Sequence, residues 1–160
     1  NKGYSSQSAM YESAQRFKGE AAERRASRRT YPGEQRQKLF YLGDMDPSGE
    51  DMVRDIQERL SLFGAEVEVE KVALTMAQVK KYRPPPNPAK ITDPRAKAYI
   101  AKHGDKSWEV DALPPPVLAR LIDSAVSSII DRAALSAVLK QEEADRAKRV
   151  TALNGVRGQV

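Results

Sequence analysis

The stretch "KLFYLGDMDPSGEDM", Lys38 to Met52, ends an apolar run on two aspartates, Asp44 and Asp46. Side chains alternate along a strand, so acids two residues apart project to one side if the extended conformation persists to the end of the run. Two adjacent carboxylates repel unless a cation neutralises them. Oxygen-only ligands suit Mg2+ (or Mn2+), which keeps several waters and takes one or two carboxylates. In open α/β sheets ligands bind beyond the carboxyl ends of the strands, and Gly43 removes a side chain where a phosphate or metal would approach. The same residues support a plainer reading as well. Asp, Pro, Ser and Gly are favoured in turns and at helix starts, so by spacing alone the segment reads first as a turn with helix-capping chemistry. Glu50 and Asp51 suit the positive end of a helix in their own right. Ser48 and Glu50 are therefore outer groups around a metal at most.

Other residues could join such a site. Glu109 and Asp111 in "SWEVDAL" alternate onto one face and could stand in an outer shell, or simply line a solvent-facing strand edge. His103 is the only histidine, and a lone imidazole without a paired His or Cys reads as structural or exposed. Trp108 reads as core. Arg24, Arg25, Arg28 and Arg29 crowd "RRASRRTYPGEQRQK" together with Arg36 and Lys38, which reads as a nucleic-acid surface or as a solvated helix end. The net charge of +5 and pI near 9.5 favour a polyanionic partner.

Composition removes several classes of function. There is no cysteine, so disulfides, thiol redox chemistry and cysteine metal sites are excluded. No apolar run approaches the ~20 residues that cross a bilayer, and no signal-peptide core opens the chain. A soluble protein without membrane contact, in the cytoplasm, is expected. No phosphate-binding glycine loop, dinucleotide fingerprint or serine–histidine pair is present. At 160 residues and 40% hydrophobic composition the chain suits one compact core.

The elements that must position the acids follow from periodicity. Met10, Ala14, Phe17 and Ala21 predict a helix over about 7–27, and "YPGE" a turn before the strand "KLFYLGD". The unalternating apolar run predicts burial on both faces, as in a parallel sheet. Ser48 and Asp51 form a candidate capping box, Met52, Val53, Ile56, Leu60 and Phe63 share one helical face, and Gly64 is the stop. "AEVEVEKVAL" reads as a second strand. Strand, helix and strand within some thirty-five residues argue for a βαβ crossover and an α/β fold. "TMAQVKKY" and "AKAYIAKHG" read as short helices, "RPPPNPAKITDPR" as a loop, and "SWEVDAL" as a short strand. Pro114 to Pro116 start a helix carrying Leu118, Leu121, Ile122, Ala125, Ile129 and Ile130, expected to be the most buried. The reading is a domain over 1–130 and a helical extension over 131–160, solvated or partner-seeking.

In this order the segments resemble a family. "LGDMDPSGEDM" looks like the DxD motif of Toprim domains. "LTMAQV", "KITDPR" and "WEVDALPP" follow as in the Toprim portion of topoisomerase VI A subunits and their phage and plasmid relatives. The resemblance spans roughly residues 2–130. It implies a Rossmann-like, mostly parallel sheet flanked by helices, and a Mg2+ site of one glutamate and two aspartates, the latter matched by Asp44 and Asp46. Lys90, Asp93 and Arg95 match the family's loop pattern, which implies Lys90 and Arg95 as phosphate contacts, and the same residues read equally as a turn held by Asp93 and Pro94. The family's glutamate ends a strand that would precede Asn1, and no residue here matches it. Nor does a motif mark any of the six tyrosines as a transesterification nucleophile. The expectation is a Mg2+-dependent, DNA-acting domain that cleaves or transesterifies phosphodiesters together with a missing N-terminal segment or additional domains. The alternative is a non-catalytic nucleic-acid-binding or assembly module that keeps the fold.

Overall fold

In a computed structural model, residues 4–26 and 37–157 are described. Helix α1 (Gln7–Ala26) starts on Ser6, whose hydroxyl accepts the Ala9 N–H at 3.1 Å. Strand β1 (Gln37–Leu42), helix α2 (Pro47–Leu62) and strand β2 (Val67–Ala73) follow, and β1 pairs parallel with β2 from Gln37↔Val67 to Leu42↔Ala73. The expected strand–helix–strand unit is therefore present in a mixed α/β chain, with a small two-stranded parallel sheet. The predicted turn at "YPGE" lies outside the described residues.

One face of this sheet carries the first core. Val67 and Val69 of β2 and Leu39 and Tyr41 of β1 meet Met10 and Ala14 of α1 and the Met52, Ile56 and Leu60 stripe of α2. The i, i+4, i+8 spacing puts those three α2 residues on one stripe, so one helix face can bury against the strands. The opposite face is mixed: the Lys38 ammonium pairs with Glu68 at 3.0 Å and Glu70 at 3.5 Å, beside half-buried Phe40 and Leu42 and buried Val72. Burial of β1 on both faces is thus corrected, since all six of its residues are half-buried and the second face carries ion pairs.

The start of α2 also departs from expectation. Asp46, not Ser48, is the N-cap: it is extended (φ −141°, ψ 172°), and its Oδ1 accepts the Gly49 N–H at 2.5 Å. Pro47 explains the shift. Its fixed φ suits the first helical position and its missing N–H needs no partner there, so the helix begins before Ser48 can cap it. At the other end Gly64, at φ 75°, stops the helix as the sequence predicts, while the Ala65 N–H donates to the Leu60 carbonyl at 3.0 Å.

Helix α3 (Met76–Tyr82) has a complete capping box between Thr75 and Gln78. The proline-rich loop forms only a two-residue strand, β3 (Asn87–Pro88), antiparallel to β4 (Lys106–Ser107), with α4 (Ala96–His103) between them. "SWEVDAL" is not a strand beyond Ser107. Trp108 makes a single bridge to Met45, and Val110–Ala112 is a turn of 3-10 helix. Helix α5 (Pro115–Ile129) and helix α6 (Arg132–Arg157) complete the chain. A second core gathers Met45, Leu74, Val79, Tyr99, Leu113 and Val117. Helix α5 is not the most buried helix: only Val117 is buried, because only its first turns reach this core, and Ile129 is half exposed. The chain divides into compact units at Ile122/Asp123. No helix among the described residues is long and apolar enough to cross a membrane.

Candidate metal centre

Three elements converge on Met45. After β1 the ladder to β2 continues through Gly43, whose N–H donates to Ala73 at 2.8 Å and whose carbonyl accepts from Leu74 at 2.7 Å. Met45 then exchanges backbone hydrogen bonds with Trp108 (2.8 and 3.0 Å), and the Tyr99 hydroxyl donates to the Met45 carbonyl at 2.8 Å. The Met45 side chain is 2% exposed. With Met45 clamped inward, burial alternates from residue to residue through the turn and into the start of α2. Gly43, Met45, Pro47 and Gly49 are buried, whereas Asp44, Asp46, Ser48 and Glu50 are each half-buried.

Each aspartate already holds a protein donor. Asp44 Oδ1 accepts the Val110 N–H at 2.8 Å, a bond across 66 residues that draws that backbone out of any ladder and into the 3-10 turn. Asp46 accepts from Gly49 N–H and from the Ser48 hydroxyl, the latter at 3.0 and 3.1 Å to its two oxygens. Ionised carboxylates offer about four lone-pair sites between two oxygens, so both retain acceptor capacity. Gly49 is what lets the turn close: a Cβ there would collide with the Asp44 carbonyl and lie 3.0 Å from Asp46 Oδ1.

The surroundings register a concentrated negative field. Burial, then the Asp44 charge and a hydrogen bond to Asp44, raise the Glu109 carboxyl above the usual glutamate range, with Asp111 and Asp46 adding to the effect. Burial and the charges of Asp44 and Asp46 likewise raise the Tyr41 phenol. Tyr99 is pushed up to about 12 by burial, then by Glu50 and Asp46. Like charge disfavours ionisation of a further acid, which is the condition a bound cation relieves.

One cation of the chain sits beneath the turn, and spacing arguments about the acids missed it. Lys71 Nζ donates to the carbonyls of Asp44 (2.7 Å) and Gly49 (3.2 Å), tying the two ends of the turn to β2. Burial lowers its pKa, against the opposing pull of Glu50, Asp46 and Asp44. The signal was available in sequence: Lys71 shares the parity of Val67 and Val69, so a lysine stands where the strand points to its packed side.

The remaining candidates divide. Glu109 comes to Asp44, but Glu109 and Asp111 are exposed and belong to the 3-10 turn, so strand alternation does not place them. Glu50 turns to α4, meeting His103 Nε2 at 3.0 Å and Lys102 Nζ at 3.3 Å. Burial pushes its carboxyl up, but these two partners leave it below the usual value. Arg95 is engaged internally. It forms a two-point pair with Asp93 (2.8 and 2.9 Å), donates to Asp51 at 3.1 Å and stacks over Tyr4, so its guanidinium ties the loop to α2 and to the N-terminal segment. Lys90 is exposed. Arg24 and Arg25 occupy the last turn of α1, where Arg24 Nε donates to the Glu20 carbonyl, whereas Arg28 and Arg29 lie outside the described residues.

Two carboxylates with free lone pairs, and a third acid beside them whose pKa burial and the Asp44 charge raise, fit the oxygen-donor chemistry of a Mg2+ ion that keeps most of its waters. Among the described residues no group of three or more His, Cys, Asp or Glu is arranged as a complete ligand set. Compared with protein-family models, with curated proteins and with solved structures, the chain matches none.

Proposed function

We propose that the chain carries a divalent-metal site of Toprim type that acts on the phosphodiester backbone of nucleic acid, DNA in the first instance. One observation supports this above the rest: at the carboxyl end of a parallel strand, Asp44 and Asp46 flank a clamped Met45, and both add to the burial that raises the Glu109 carboxyl above its ordinary range. A bound Mg2+ would neutralise charge on a phosphate and stabilise a leaving oxygen. Asp44 and Asp46 would hold the ion, with Ser48, Glu109 and Asp111 as outer groups, Lys71 would keep the turn in register, and Arg24 and Arg25 would hold the polyanion. The Rossmann-like arrangement of a larger, mostly parallel sheet belongs to this proposal too.

The experiment is calorimetric titration with Mg2+ and Mn2+ of the wild type and of Asp44→Asn plus Asp46→Asn. Heat in the first and none in the second is expected, and identical heats would refute the site. A second reading, a non-catalytic nucleic-acid-binding or assembly module, draws on Asp46 being spent on a helix cap and on Arg95 being paired internally. Mg2+-dependent plasmid nicking that Asp44→Ala abolishes separates the two. DNA binding without nicking favours the module.

A further inference from the structure

Helix α6, Arg132–Arg157, lies in the unit Asp123–Val160 and is not packed along the segment of α5 that shares that unit. A helix of 26 residues draws most of its stability from an apolar face buried against something. At about 100° per residue, Leu135, Leu139, Glu142, Arg146, Val150 and Leu153 fall within one stripe about 80° wide. The apolar members of the stripe are open to solvent, Leu139 at 55% and Leu153 at 65%. The ion pair within the helix, Lys148–Asp145, lies off the stripe, leaving Glu142 and Arg146 without an ion-pair partner among the described residues.

The order along the stripe is apolar, acidic, basic, apolar: Leu135 and Leu139, then Glu142, then Arg146, then Val150 and Leu153. Read backwards, that order is its own complement. We infer that the stripe of α6 is an interface for a second copy of this chain, the two helices running antiparallel about a two-fold axis near Ala144. Leu135 then meets Leu153 of the second copy and Glu142 meets its Arg146, each contact occurring twice by symmetry. Leu139 lies along the aliphatic stem of Arg149 of the second copy. A parallel pair would instead set Glu142 on Glu142 and Arg146 on Arg146, so the charges select the direction as well as the partner.

Sedimentation of the full chain across the micromolar range tests this, and a reversible dimer is expected. Glu142→Lys with Glu143→Lys makes the stripe wholly basic, and Arg146→Glu with Arg149→Glu makes it wholly acidic. Each variant alone should raise the dimer dissociation constant at least about tenfold, while an equimolar mixture of the two should associate as tightly as the wild type or tighter. Because the chain has no cysteine, single replacements report direction. Leu135→Cys mixed with Leu153→Cys should crosslink, and neither should crosslink to itself, its two copies being about 27 Å apart. A monomeric wild type, reversals that leave the dimer intact, a mixture that does not associate, or self-crosslinking of Leu135→Cys would each overturn the inference.

Discussion

Replacing Lys71 with Met tests whether the turn carrying the aspartates is held from beneath. The side-chain length is kept while the ammonium is removed, so the carbonyls of Asp44 and Gly49 lose their donors at 2.7 and 3.2 Å. Hydrogen bonds from a charged donor contribute roughly 1.5–3 kcal/mol each, and the longer, partly solvated one falls at or below that range. A net loss of about 2–3 kcal/mol follows, because water can reach part of the site. At about 2–4 °C per kcal/mol for a chain of this size, the melting temperature should fall roughly 5–10 °C. Calorimetric or dichroism melts measure it, and Lys71→Arg should recover part of the loss. The pH dependence has a definite sign. Burial depresses the Lys71 pKa below 10.5, so the unfolded chain binds more protons in the window just below that value and wild-type stability rises with pH there. The gap between wild type and Lys71→Met should therefore widen from neutral pH towards pH 10. Equal melting temperatures at neutral pH, or a gap that closes on alkalinisation, would refute the reasoning.

Asp46 should separate its two roles: Asp46→Asn keeps a capping oxygen and stays within about 0.5 kcal/mol of wild type yet loses metal heat, whereas Asp46→Ala loses about 0.5–2 kcal/mol as well, measured by urea unfolding and calorimetry. Glu109 has a folded pKa above its unfolded one, so its stabilising contribution is complete below the unfolded value and is lost as pH rises through the folded one. Wild type should therefore lose ground to Glu109→Gln over the weakly acidic range, and Mg2+ should shrink that difference in parallel melts. If Arg24, Arg25, Arg28 and Arg29 hold nucleic acid, DNA affinity measured by anisotropy should fall steeply with salt. Each Arg→Ala change should then flatten the log–log slope by roughly one unit. Binding indifferent to salt and to all four changes would return the arginines to solvent.

Residue order alone determines the local parts of this protein. The alternation of Val67 and Val69, the Met52–Ile56–Leu60 stripe, the Gly64 stop and the two-residue spacing of the aspartates are periodic or short-range, and strand β2, helix α2 and the half-buried Asp44 and Asp46 on either side of a buried Met45 follow from them. The charge order along α6 is legible in the same way. Tertiary structure decided which of two local readings each site residue obeys. The Asp46 cap is the exception, a local outcome set by the neighbouring Pro47. Asp44 was drawn to Val110, Tyr99 to Met45, Lys71 to the carbonyls of the turn, and Arg95 to Asp51. Those bonds join residues tens of positions apart. Periodicity reports only the direction a side chain leaves its own element, whereas partners at such separation exist only once the β1–α2–β2 unit and the second core have closed around Met45.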